Sequence, residues 1–172
     1  MMAVDKSGAK WTKVGHSPAV SGMNGATGFF RGSFQASIDD KGRLKLPARL
    51  RQQLETWYGN LVFITSFDPA ELRLYPLPVW EEFERAFLAQ PSLNPLVQRL
   101  LEHANYGQEE EVDAQGRVLV PALLREVVGI AGEVVVSGRG KFLGVVARER
   151  AKLELSRAFT PEELQALAAL ER

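Results

Sequence analysis

Between Arg31 and Arg51 the chain carries six cations, Arg31, Lys41, Arg43, Lys45, Arg49 and Arg51, against two acids, Asp39 and Asp40. Such a surplus suits anion binding. A guanidinium grips a phosphate or a guanine edge with two parallel hydrogen bonds, and an ammonium acts as a point charge. The whole chain has a formal net charge of zero, so the surplus is a patch. A basic patch on a neutral protein is the electrostatic footprint of a phosphate-binding face. Other chemistries have thinner support. The histidines are His16 and His103, cysteine is absent, and no serine sits in a Gly-x-Ser-x-Gly elbow. An enzyme is therefore not expected. Glu109, Glu110, Glu111, Asp113 and His103 are metal-ligand types, but strand alternation would turn Glu110 away from its neighbours. They read as a solvated or subunit-facing acidic face, and neither a metal nor a cofactor is expected. Ser137-Gly138-Arg139-Gly140-Lys141 has the glycines of a phosphate loop, yet Phe142 stands where that loop needs a hydroxyl, so a hairpin turn is expected.

The cations sit inside a phrase that the chain writes twice. Ile38-Asp39-Asp40-Lys41-Gly42-Arg43-Leu44-Lys45-Leu46-Pro47-Ala48-Arg49-Leu50-Arg51 recurs as Val112-Asp113-Ala114-Gln115-Gly116-Arg117-Val118-Leu119-Val120-Pro121-Ala122-Leu123-Leu124-Arg125. The offset is 74 residues, from 39 to 113, without a gap. The chain is two copies of one supersecondary unit. The copies share a scaffold but not a surface. Residues 31–51 sum to +4, whereas 105–125 sum to −2, and Lys41, Lys45 and Arg49 have become Gln115, Leu119 and Leu123. Arg43 of the first copy, with Lys41, Lys45, Arg31 and Arg49, forms the candidate binding set. Asp39, Gly42, Asp113, Gly116 and Arg117 read as the structural motif, so replacing Arg117 should disturb binding less than replacing Arg43.

The positioning elements follow from the pattern. Phe30, Phe34, Ala36 and Ile38 alternate with Arg31, Ser33, Gln35 and Ser37, which predicts a strand. Asp-x-x-Gly predicts a turn, the carboxylate accepting a backbone N–H two residues on and glycine taking a positive φ. Arg43 to Leu46 resumes the alternation with Leu44 and Leu46 inward. Pro47 ends that strand and opens a helix over 48–54. A second hairpin completes each unit, 61–65 with 72–75 and 133–137 with 142–146. Helices are expected over 79–89 and 96–103. A last one has Thr160 as N-cap, Pro161 at its first position and Glu163 closing a capping box.

At 172 residues the chain has room for one or two small domains. The lack of cysteine fits a reducing cytoplasm, and no apolar run approaches a membrane span. Residues 1–28 lack periodicity and the apolar core of a signal peptide. They read as a disordered extension.

Several stretches carry a family resemblance. Phe30-Arg31-Gly32-Ser33-Phe34, Asp39 to Leu44 and Leu46-Pro47-Ala48-Arg49 resemble the opening of the MraZ family. Asp68, Leu72 to Pro76 and Trp80 resemble its middle, and Asn105-Tyr106, Asp113 to Val118 and Pro121 its second half. The resemblance covers roughly residues 29–150 and implies an α+β fold, two tandem AbrB-like swapped-hairpin units forming a β-rich pseudo-dimeric core with flanking short helices. The expected layout is a first unit at 29–76, a helical connection at 77–104, a second unit at 105–150 and a helical segment at 151–172. The resemblance further implies a homo-oligomeric ring, associated with the nucleoid, that regulates transcription. Its double-stranded DNA partner would be direct repeats upstream of the bacterial division and cell-wall genes. Neither a membrane nor a small-molecule substrate is implied. The family's DNA-binding arginine corresponds to Arg43 and its loop lysine to Lys41. Whether Arg43 meets a base or a phosphate is left open by the residues. A regulator of other genes and a ring-forming scaffold are the alternatives.

Overall fold

The computed structural model describes residues 28–172. The reading of 1–28 as a disordered extension therefore lies, Gly28 apart, outside the described residues. The first unit comprises β1 (Ser33–Ile38), β2 (Arg43–Lys45), α1 (Ala48–Trp57), β3 (Leu61–Asp68), β4 (Glu71–Pro76), α2 (Leu77–Leu88) and α3 (Pro95–Asn105). The second comprises β5 (Gln108–Glu111), β6 (Arg117–Leu119), α4 (Ala122–Val128), β7 (Gly132–Gly138), β8 (Leu143–Ala147), α5 (Arg148–Ser156) and α6 (Pro161–Leu170). The order ββαββαα occurs twice, so the repeat includes the helices that follow each pair of hairpins. Helix α5 spans the expected boundary after residue 150.

The fold is α+β, with the strands in one antiparallel sheet of order β5-β3-β4-β8-β7-β1-β2-β6. The units interleave. β1 pairs with β7 over the full run from Ser33↔Ser137 to Ile38↔Gly132. β5 pairs with β3 from Leu61↔Glu111 to Ile64↔Gln108, the same exchange in reverse. β5 and β6, last in the order at either end, are joined by the turn at Asp113–Gly116, where Asp113 N donates to Arg117 O at 2.9 Å. The sheet thus comes round on itself. Where β2 meets β6 the register is Arg43↔Leu119, Leu44↔Val118 and Lys45↔Arg117. Leu44 and Val118 occupy the same place in the two phrases, so an internal two-fold axis passes between them.

Strand alternation delivers the core. Leu44, Leu46, Leu50, Leu54, Val62, Ile64, Leu72 and Leu74 of the first unit meet Val118, Val120, Leu124, Val134, Val136, Leu143 and Val145 of the second, all buried. β1 starts at Ser33 and not Phe30, because Gly32 has φ +90° and interrupts the ladder. Phe30 still reaches the core through a bridge to Gly140. A second cluster lies under α2 and α3. Trp80 stacks on Phe63 at 4.1 Å between ring centroids, and Tyr75 and Phe87 are buried beside it. Copy two lacks those aromatics. α5 and α6 occur at the positions of α2 and α3, but neither contains a buried residue.

Candidate nucleic-acid interface

Each Asp-x-x-x-Arg segment is a hairpin tip built by its aspartate. Asp39 Oδ1 accepts from the backbone N–H of Lys41 at 3.0 Å and of Arg43 at 2.8 Å. Its Oδ2 accepts from Arg43 Nε at 2.8 Å. Asp113 does the same with Gln115, Arg117 and Arg117 Nε, at 2.9, 2.9 and 3.3 Å. In both tips the backbone N–H of the arginine, above all, holds the carboxyl below the ordinary aspartate value. Partial burial opposes this, while the guanidinium supports it. The acid beside the cation is thus spent on shaping the turn and aiming the arginine. With Nε engaged, the terminal nitrogens of each guanidinium remain as a two-pronged donor.

The tips are clamped to each other across the axis. Gly42 has φ +82° and Gly116 φ +77°, and a Cβ on Gly42 would lie 2.6 Å from the Arg125 guanidinium carbon. One on Gly116 would lie 2.8 Å from Arg51 Cδ. Leu46 N donates to Gly116 O at 2.8 Å and Val120 N to Gly42 O at 2.9 Å. Arg51 Nη2 donates to Ala114 O at 2.8 Å, and Lys45 Nζ donates to Gln115 O. Both final arginines therefore lie against the other copy's turn, but only Arg51 bonds to it; Arg125 Nε donates to Val120 O of its own copy at 3.1 Å while its guanidinium packs beside Gly42. The repeat pattern displayed Arg51 and Arg125, but as surface charge; only the interleaving of the units gives them this position.

The register decides which cations meet. Side chains on β2 and β6 alternate, so Leu44 and Val118 point inward while Arg43, Lys45, Arg117 and Leu119 point outward. Arg43, Lys45 and Arg117 share one face, Lys41 is exposed on the tip and Arg49 is exposed on the first turn of α1. Arg31 is not among them. It lies beyond the far end of β1, roughly 20 Å along the strand, with its guanidinium 5.9 Å from the Phe29 ring. Alternation puts Arg31 in phase with the other cations, yet the length of β1 separates it. The acidic candidates do not converge either. Glu109 and Glu111 flank the half-buried Glu110, whose carboxyl burial pushes up. His103 faces Ser66 O at 3.0 Å from α3. The glycine-rich stretch before Phe142 is the β7–β8 turn.

Comparison with known proteins gives this geometry a family. The model described as "MraZ protein, putative antitoxin-like" matches residues 29–104. A protein of Koribacter versatilis named transcriptional regulator MraZ is 48% identical over 144 residues, 82% of this chain and 98% of that one. The chain belongs to the MraZ family. Its MraZ relatives include proteins of the same name from Acidobacterium capsulatum and Nitrosomonas europaea. The first is 44% identical over 142 residues, 81% of this chain and 97% of that one. The second is 38% identical over 135 residues, 76% and 89%. The solution structure of PHS018 from Pyrococcus horikoshii aligns at a TM-score of 0.31 with 18% identity, over 68% of this chain and 88% of that one. The MraZ fold described above rests on this chain's own strand pairings.

Proposed function

We propose that the chain is a sequence-specific DNA-binding transcriptional regulator whose β2–β6 face enters the major groove. The observation that carries this is the outward row Arg43, Lys45 and Arg117 on the internal axis, each arginine braced by its own aspartate. A two-stranded ribbon fits a major groove about 12 Å wide. Arg43 and Arg117 lie two residues apart along the strands and one strand apart, so about 8 Å separates their Cα atoms. Both forks fit within one groove. The MraZ relatives are named transcriptional regulators, which supports DNA as the partner. The proposed targets are direct repeats upstream of bacterial division and cell-wall genes, bound by a ring of copies in the cytoplasm at the nucleoid. A face this small neutralises few phosphates, and repetition supplies the rest: linked engagement raises avidity about 10²- to 10⁴-fold.

Titration of the purified chain into fluorescent duplexes tests this reading. One duplex carries the direct repeats of such a promoter, one a promoter of unrelated genes and one scrambled DNA. At fixed salt, preference for the division-cluster repeats is expected. Equal binding to all three would leave only a non-specific polyanion binder. Preference for the unrelated promoter would assign other target genes. Absence of binding would leave a protein scaffold.

A further inference from the structure

Copy two contains an apolar groove that copy one fills. In the first unit, Phe30 is buried between the end of α1 and the β7–β8 turn. Its ring lies 5.5 Å from Trp57 and 5.9 Å from Tyr58. Its backbone exchanges hydrogen bonds with Gly140 at 2.7 and 3.2 Å. In the second unit α4 stops at Val128, the counterpart of Leu54, so nothing corresponds to Trp57 and Tyr58. Ala104 stands where the 74-residue offset puts the partner of Phe30. What remains is a half-open cavity of about 350 Å³ between α4 and the β3–β4 turn, lined by Phe67, His103, Tyr106, Leu123, Leu124 and Val127. Leu123 and Val127 are about half exposed on one face of α4, at i and i+4. Leu123 replaces the cation Arg49 of copy one.

The same chain presents a matching apolar element with no seat of its own. α6 is fully formed, with Thr160 and Glu163 in a reciprocal capping box and Pro161 at its start. Its counterpart α3 packs on β3, whereas every residue from 152 to 172 is exposed. Leu164, Leu167 and Leu170 recur at helical spacing, and Phe159 stands just ahead of them, 62% exposed. A helix with an apolar stripe gains its stability by burying that stripe.

We propose that Phe159 and α6 of one copy seat in the groove over α4 of a second copy, with Phe159 occupying the space that Phe30 fills in copy one. The inference rests on the self-association proposed above and names the surface that carries it. The occupant is a second copy because the unfilled site and the unseated aromatic helix belong to the same chain in equal number. Their pairing is heterologous, and repeated heterologous contacts close into rings when the rotation permits.

The chain lacks cysteine, so each introduced thiol is the sole one. Full-length Phe159→Cys is mixed with Leu123→Cys, or with Arg49→Cys as the repeat-equivalent control, and oxidised at micromolar concentration without DNA. The Phe159–Leu123 pair is expected to give an interchain disulfide at least about tenfold more abundant than the control pair, as the short Cα separation of a disulfide demands. Full-length Phe159→Asp/Leu167→Asp is expected to raise the dissociation constant of assembly, read by sedimentation, at least about tenfold. Its melting temperature after dissociation should match that of the dissociated parent. A parent that sediments as a single chain would remove the self-association itself. An oligomeric parent with no preferential Phe159–Leu123 disulfide, or one unaffected by the two aspartates, would overturn the docking alone. A disulfide that forms only within one chain carrying both cysteines would also overturn it.

Discussion

The sharpest test of the β2–β6 face is the pair Arg43→Ala and Arg117→Ala. By charge alone the second copy is the weak half, since Lys41, Lys45 and Arg49 are replaced there. By register Arg117 stands directly opposite Lys45, on the same outward face as Arg43. If each arginine grips a base edge, each substitution costs about 1–3 kcal/mol, or roughly 5- to 160-fold in affinity for the repeats, with little change on scrambled DNA. If each only clamps a phosphate, the loss is uniform across sequences. The slope of log affinity against log salt then flattens by about 0.9 per contact. The assay is fluorescence anisotropy on repeat and scrambled duplexes at several salt concentrations, with sedimentation confirming unchanged assembly. The proposed geometry requires losses from both arginines within about an order of magnitude of each other, since both forks fit one groove of about 12 Å. Arg117→Ala binding like the parent while Arg43→Ala fails would refute the shared face. Binding would then reside at the first copy's tip.

Other outcomes follow from the same contacts. Gly42→Ala meets a positive φ and the Arg125 guanidinium, so urea unfolding should show a loss of about 1–2 kcal/mol from the backbone alone. Adding Arg125→Ala should give less than the summed loss, and strict additivity would argue against the clamp. Glu110→Gln removes a carboxylate whose charged form burial disfavours. It should raise the melting temperature at neutral pH, and the gain should vanish in acid once the native glutamate is itself protonated. Asp39 and Asp113 have the opposite sign. Their stabilisation is fully present above the unfolded value near about pH 4 and is lost as pH falls through the depressed folded values. Asp39→Asn should therefore flatten the acid limb of a stability profile. Removing promoter repeats one at a time should weaken binding steeply, as should shifting their spacing by half a helical turn. A single repeat bound as tightly as the array would count against multivalent reading.

Much of this was legible in the chain because it is local. The Asp-x-x-Gly turns, the alternation that buries Leu44 and Leu46, the helix opened by Pro47 and the Thr160–Glu163 capping box are each written within a few residues. The partners that complete the face are not. β1 meets β7 across about a hundred residues, and no residue type announces that Leu44 will face Val118. Arg51 and Arg125 display charge in sequence, but the interleaved turns come to them: Arg51 binds Ala114 O of the other copy and Arg125 packs beside Gly42. Arg31 shares the phase of the binding set but not its end of the strand. Helix α5, Arg148–Ser156, has no apolar periodicity and is intelligible only as the repeat partner of α2.

The internal two-fold axis is broken where it matters. A faithful axis would place a lysine opposite both arginines, and its surface would look the same read from either side. Here Arg117 faces Lys45 whereas Arg43 faces Leu119. The surface therefore has a head and a tail. Perfectly two-fold readers call for palindromes, because each half-site must be mirrored by the other. A lopsided one built into a single chain distinguishes the 5′-to-3′ sense of the strand beneath it. In the proposed ring, chains all facing the same way round would meet DNA whose sites also all run one way. On this view the tandem orientation of the proposed target follows from the asymmetry of the face, with Leu119 where Lys45 stands in the first copy and Gln115 and Leu123 in place of Lys41 and Arg49.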